Sequence, residues 1–111
     1  MTSNAETLLA VQLEQAGIPF LREMLFIPGR KFRADFAIRP DRFNDGILIE
    51  VEGGTWIEGR HSRGKGFEAD CEKQALAVIA GYRYLRVTSS QVEDGRALSW
   101  VRQALGVEAA A

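Results

Sequence analysis

The chain has 111 residues, 46% of them hydrophobic and 26% charged, with a formal net charge of -1. That composition suits one compact domain over residues 1–111, and it excludes both a disordered chain and a protein that coats nucleic acid or anionic membrane by bulk attraction. An anionic partner must instead meet a local basic patch. One cysteine, Cys71, and one histidine, His61, exclude an internal disulfide and a zinc site of the Cys/His type, and they point to a reducing cytoplasm. No stretch reads as a signal peptide or membrane span: the first apolar run, residues 8–13, is broken by Gln12 and flanked by Glu6 and Glu14.

Ser3 and Glu6 have the S-x-x-E spacing of a capping box, and Ala5, Leu8, Leu9, Leu13 and Ala16 recur at helical spacing until Gly17, which predicts a first helix. Residues 19–26 are apolar with Arg22 and Glu23 interposed, and Pro28 and Gly29 make a turn. Phe32, Ala34, Phe36 and Ile38 then alternate with Arg33, Asp35 and Ala37, so the two runs read as a hairpin with Asp35 on the face opposite the apolar set. After a polar turn, Ile47 to Glu52 is a β-branched third strand, expected to be central, with Glu50 and Glu52 on one side. A basic, glycine-rich loop over 53–66 leads into a helix over 67–80 whose apolar stripe, Phe67, Cys71, Ala75, Val78 and Ile79, is predicted to face the core. Gly81 stops it, residues 82–88 form a fourth strand, and Ser89 or Ser90 opens a closing helical region. The order α-β-β-β-α-β-α predicts an α/β (α+β) fold. Short turns make the early strands antiparallel, the crossover helix makes the third and fourth parallel, and one mixed four-stranded sheet results.

Carboxylates are the unusual feature of these strands. Asp35, Glu50 and Glu52 lie on neighbouring strands, which are about 4.8 Å apart with alternate residues about 6.7 Å along, so the three are able to converge within metal-binding reach. Each alone is ordinarily a solvent-facing acid. Together, and without a cation, they repel one another. An all-oxygen set with no thiol or imidazole cluster suits a hard ion, Mg²⁺ above all, with Mn²⁺ as a substitute.

The stretches "FRADFAIRP", "ILIEVEGGTW" and "GRHSRGKGFEADCEKQALAVIAGYRYLRVT" resemble the small, often phage-associated endonuclease domains of the restriction-endonuclease-like PD-(D/E)xK superfamily, similar to very short patch repair endonucleases. The resemblance spans nearly the whole chain. It implies a mixed four-stranded sheet flanked by helices, with Asp35 as the first motif acid and Glu50 as the second. These two, with the backbone carbonyl of Val51, are the implied metal ligands. Where the motif usually ends in lysine this chain has Glu52, and the lysine that some members supply from the following helix corresponds to Lys73. Relatives often carry a glutamate on the first helix, which matches Glu6. Glu23, within "REMLF", resembles a family element that shapes or charges the site, but it reads first as an exposed strand position and is left outside the candidate set.

Arg60, His61, Arg63 and Lys65 are packed between glycines in the loop, giving cations on a backbone that approaches phosphates closely. They are the predicted clamp on a DNA backbone. His61, with an ordinary pKa near neutrality, is placed to donate a proton to the scissile phosphate or the leaving oxygen. Trp56 reads as a partial lid over the core. The expected activity is Mg²⁺-dependent hydrolysis of DNA phosphodiester bonds, leaving 5′-phosphates by resemblance, with Asp35, Glu50, Glu52, Lys73, Glu6 and His61 as the candidate catalytic set. One such site serves both strands only through a homodimer or two visits. A catalytically inactive DNA-binding module of the same fold is the alternative. A nucleotide-binding P-loop is suggested by "GRHSRGKG", but Gly66 stands where that motif needs a hydroxyl.

Overall fold

The structure is a computed structural model that describes residues 4–42, 44–52 and 64–107. Its elements are α1 (Asn4–Gln15), β1 (Leu21–Leu25), β2 (Arg33–Ile38), β3 (Ile47–Glu52), α2 (Gly64–Ile79), β4 (Arg83–Thr88), α3 (Ser89–Glu93) and α4 (Arg96–Leu105). The strands form one sheet in the order β1-β2-β3-β4, antiparallel except for the parallel β3–β4 pair. This is the mixed four-stranded, helix-flanked architecture expected from the element order.

Helices α1, α3 and α4 cover one face of the sheet. Leu9 and Leu13 of α1, Val92 of α3 and Val101 of α4 are fully buried against Phe36, Ile38, Ile47, Ile49 and Val87 of the strands. Gly17, two residues past the end of α1, takes φ +73, the left-handed conformation that ends a helix cheaply only when no Cβ is present. The opposite face carries a smaller cluster in which Ala77 of α2 meets Phe26, Ala34, Ala37 and Leu48. Gly46 enters β3 where no side chain fits: a Cβ there would lie 2.9 Å from the Arg39 carbonyl oxygen and 3.1 Å from the Tyr82 ring.

Two expectations are corrected. The apolar stripe of α2 does not face the core: Phe67, Val78 and Ile79 are 48%, 59% and 79% exposed, and Cys71 and Ala75 are exposed too. Lys73 and Ala77 turn inward instead. At about 100° per residue, Cys71 and Ala75 lie roughly 160° around the helix from Lys73, so the inward turn of Lys73 toward Glu50 carries the stripe to the outside. The closing helical region is also two helices, because Asp94 and Gly95 (φ +88) leave helical geometry between them. Its cap is Thr88 rather than Ser89 or Ser90: the Thr88 hydroxyl accepts from Gln91 N at 3.2 Å, and the Gln91 side chain accepts from Thr88 N at 2.9 Å. Ser3, the other half of the predicted first capping box, lies outside the described residues.

Candidate active site

The β2–β3 ladder runs through Ile38↔Ile47, Ala37↔Leu48 and Phe36↔Ile49 and stops there. The next residue on each strand is an acid, Asp35 on β2 and Glu50 on β3. Past this point side-chain bonds replace backbone ones between the strands. Glu50 Oε2 accepts from Asp35 N at 3.0 Å, and Asp35 Oδ2 accepts from Val51 N at 2.8 Å. The carboxylates thus satisfy amide donors that the ended ladder leaves without carbonyl partners. Both side chains occupy the same gap at the end of the sheet.

Lys73 of α2 closes that gap from the second face, its Nζ 2.6 Å from Glu50 Oε1. The two side chains are only 15% and 14% exposed, so the pair is poorly screened by water. From the other direction come two more acids. One carboxylate oxygen each of Glu6, Glu23 and Asp35 lie within 4.8 Å of one another. Glu6 reaches the cluster from α1 and accepts from Arg22 Nη2 at 3.3 Å, while the Arg22 guanidinium stacks over the Phe36 ring at 4.6 Å. Glu23 enters by an unusual backbone. It sits opposite Asp35, between the pairs Arg22↔Phe36 and Met24↔Ala34, and takes φ +52 inside a strand. A non-glycine residue in the left-handed region is strained and marks a local kink. The alternation of β2 breaks at the same place. Ala34 packs in the α2-side cluster and Phe36 in the α1-side core, so Ala34 and Phe36 do not share the single apolar face expected of them.

Crowding has an electrostatic cost. Burial, then the charge of Asp35, pushes the Glu6 carboxyl above its ordinary value of 4.5. Asp35 is raised from 3.8, chiefly by burial, against the lowering effect of the Val51 amide and Lys73. Glu50 is raised from 4.5, again chiefly by burial, against the Lys73 hydrogen bond. Lys73 and the amides therefore offset only part of what desolvation imposes. Burial, with Glu50 nearby, also raises the Tyr84 phenol, which stays protonated at neutral pH.

Of the residues singled out from sequence, Asp35, Glu50, Lys73 and Glu6 are brought together here. The Val51 amide faces Asp35. Glu52 turns aside: its carboxylate pairs with Arg86 of β4 at 3.0 Å. Arg60, His61, Arg63 and Trp56 lie outside the described residues, as does the side chain of Lys65. Glu23 is an exposed strand position, as read from sequence, that nevertheless joins the acid cluster, and Arg22 is an addition. Nothing in a strand's alternation announces a glutamate that adopts glycine-like φ, and Arg22 was hidden as an ordinary charged residue of an edge strand.

No family model matches the sequence, and no curated protein matches it. The fold itself is that of a nuclease domain among solved structures: the chain resembles the catalytic domain of a homing endonuclease, with a TM-score of 0.65 over 94% of each chain and 18% identity. That domain belongs to the homing endonuclease I-Bth0305I. At this identity the shared property is the fold.

Proposed function

We propose that the chain is a metal-dependent DNA endonuclease, its 111 residues acting as one endonuclease-like domain of the PD-(D/E)xK type. The observation that carries this reading is the convergence of Asp35, Glu50 and Lys73 at the point where β2 and β3 part. The donors there are carboxylate and backbone oxygens, which suit Mg²⁺ or Mn²⁺. In an extended strand the N–H and C=O of one residue point to the same neighbour, so the Val51 carbonyl accompanies its amide toward Asp35. Asp35, Glu50 and the Val51 carbonyl would hold the ion. A divalent ion so bound supplies Lewis acidity toward a phosphoryl oxygen and lowers the pKa of water.

The remaining roles fall to the protein's own side chains. Lys73, held against Glu50, presents ammonium hydrogens to the attacking water and to negative charge growing on the phosphate. Water adds to phosphorus and gives up a proton to solvent, the bond to the 3′ oxygen breaks, and a 5′-phosphate and a 3′-hydroxyl result. His61 donates the proton that the leaving oxygen needs. Arg60, Arg63 and Lys65 grip the backbone. Glu6 and Glu23 add negative potential beside Asp35 and strengthen its preference for a cation over a proton. Glu52, engaged by Arg86, serves at most to orient that arginine. The setting is cytoplasmic, in keeping with an exposed free thiol at Cys71. Among the described residues no helix is long and apolar enough to cross a membrane.

The test is cleavage of supercoiled plasmid in Mg²⁺ or Mn²⁺ by the wild-type chain and by Asp35→Ala. Nicked or linear product from wild type alone supports the reading. Binding of DNA with no cleavage by either protein selects the inactive DNA-binding module instead.

A further inference from the structure

The turn that joins β1 to β2 gathers cations at the same end of the sheet as the acids. Residues 28–33, Pro-Gly-Arg-Lys-Phe-Arg, carry three cations and no carboxylate. The turn is tightly built: Arg30 N donates to the Ile27 carbonyl at 3.1 Å, and Gly29 takes φ +77. Arg30 then anchors it, stacking over Phe32 at 4.6 Å and pairing with Glu72 of α2 at 3.0 Å. Lys31 and Arg33 are left facing water. Both are exposed, and among the described residues neither has a carboxylate within ion-pair distance. Arg33 donates instead to the Glu23 carbonyl, at 3.3 Å, on the kink that brings Glu23 to the acid cluster.

Exposure along this segment alternates. Lys31 and Arg33 are open to solvent and Asp35 is half-buried, while Ala34 and Phe36 are buried and Phe32 is partly so. Lys31 and Arg33 precede Asp35 in the chain by four and two residues, Lys31 in the turn just before β2 and Arg33 as its first residue, and both are open to solvent. Their charge answers a problem the site creates. A cluster containing Glu6, Glu23, Asp35 and Glu50 repels a polyanion, and the chain as a whole carries no positive excess to overcome it. Cations without acidic partners, in the turn and at the first residue of the strand that leads into that cluster, supply the missing attraction locally.

We infer that the β1–β2 hairpin is a phosphate-contacting arm, in which Lys31 and Arg33 hold DNA backbone phosphates next to the one that faces Asp35 and Glu50. The inference rests on the endonuclease reading and adds a second grip to it, on a rigid turn rather than on the glycine-rich loop. It predicts contacts that position the substrate without reading its sequence.

The experiment measures binding of two duplexes of unrelated sequence by fluorescence anisotropy in EDTA across a KCl series, for wild type, Lys31→Ala, Arg33→Ala, Arg33→Lys and Arg42→Ala. Arg42 is an equal charge loss in the turn at the far end of β2 and β3. The expected result is that Lys31→Ala and Arg33→Ala weaken binding of both duplexes alike. Each also lowers the slope of log K against log salt by about 0.9, the value for one lost phosphate contact. Arg33→Lys and Arg42→Ala keep the wild-type slope, and Lys31→Ala and Arg42→Ala keep the wild-type Mn²⁺ affinity. Unchanged slopes in both hairpin alanine variants, or an equal fall in Arg42→Ala, overturn the arm and leave the endonuclease reading standing. A wild-type chain that binds neither duplex overturns both.

Discussion

Asp35 and Glu50 each hold the backbone of the other's strand, through Glu50 Oε2 to Asp35 N at 3.0 Å and Asp35 Oδ2 to Val51 N at 2.8 Å. Two acids in otherwise apolar strands are thereby part of the sheet's own hydrogen bonding. They continue the β2–β3 connection after the ladder ends, and they do so with oxygens that still have lone pairs to spare for a cation. Structure and candidate chemistry are served by the same two carboxylate oxygens.

Substitutions at Asp35 should separate these two services. Asp35→Asn keeps an acceptor for the Val51 amide and removes a charge from a crowded cluster, so metal-free stability at pH 7 is expected to equal or exceed that of wild type. Asp35→Ala leaves the amide without its partner and costs about 1–3 kcal/mol. Both lower plasmid cleavage by about 10²-fold or more. Urea denaturation in EDTA, run beside the cleavage assay, checks the contrast.

Lys73 is expected to be coupled to Glu50. Lys73→Met removes the cation 2.6 Å from Glu50 Oε1 and destabilises the fold by about 1–3 kcal/mol, whereas the same substitution made on a Glu50→Gln background costs much less. A double-mutant cycle should give a coupling of about 1–3 kcal/mol. A coupling near zero would show that the pair contributes no net stability.

The pH dependence follows from the raised carboxyls. For Glu6, Asp35 and Glu50 the folded chain holds protons more tightly than the unfolded chain does. Between the ordinary carboxylate values and the raised ones, stability therefore falls as pH rises. The metal-free protein is expected to be more stable just above pH 4.5 than at neutrality so far as these three groups are concerned, and Asp35→Asn should flatten that slope. Mn²⁺ binding runs the opposite way. It requires the ionised carboxylates, so its affinity rises with pH through the same window. Thermal unfolding and Mn²⁺ titration at matched pH values read the two trends.

Glu23 supplies a test of backbone strain. Glu23→Gly and Glu23→Ala both delete the carboxylate, but only glycine adopts φ +52 without penalty. The glycine variant is expected to be the more stable by about 1 kcal/mol, and the two should share the same reduced Mn²⁺ affinity. Equal stabilities would indicate that β1 straightens once the side chain is gone.

On α2 the contrast is between faces. Ile79→Gln, at a position 79% exposed, is expected to change stability by less than about 0.5 kcal/mol, while Ala77→Leu, in the contact with the sheet, overpacks it by about 1–3 kcal/mol.

Helical spacing, strand alternation and turn residues were enough to read the element order and the mixed sheet from the sequence, because each signal is local: a period, a glycine after a helix, a crossover of fixed length. The same locality allowed Asp35 and Glu50 to be paired, since neighbouring strands in a predictable order bring particular residues opposite. Other features depend on the balance between distant groups. The outward turn of the α2 stripe is one, because Lys73, paired with Glu50, and Ala77 are the residues that face the sheet. The inclusion of Glu23 is another, since a left-handed glutamate is tolerated only where surrounding pairs hold it. Glu52 was placed by alternation beside Glu50, yet Arg86 on the parallel neighbour draws it away. Sequence determined which segments pair and which acids can meet; the tertiary structure decided which side chains turn toward the meeting point, because that choice is made by competition among partners far apart in the chain.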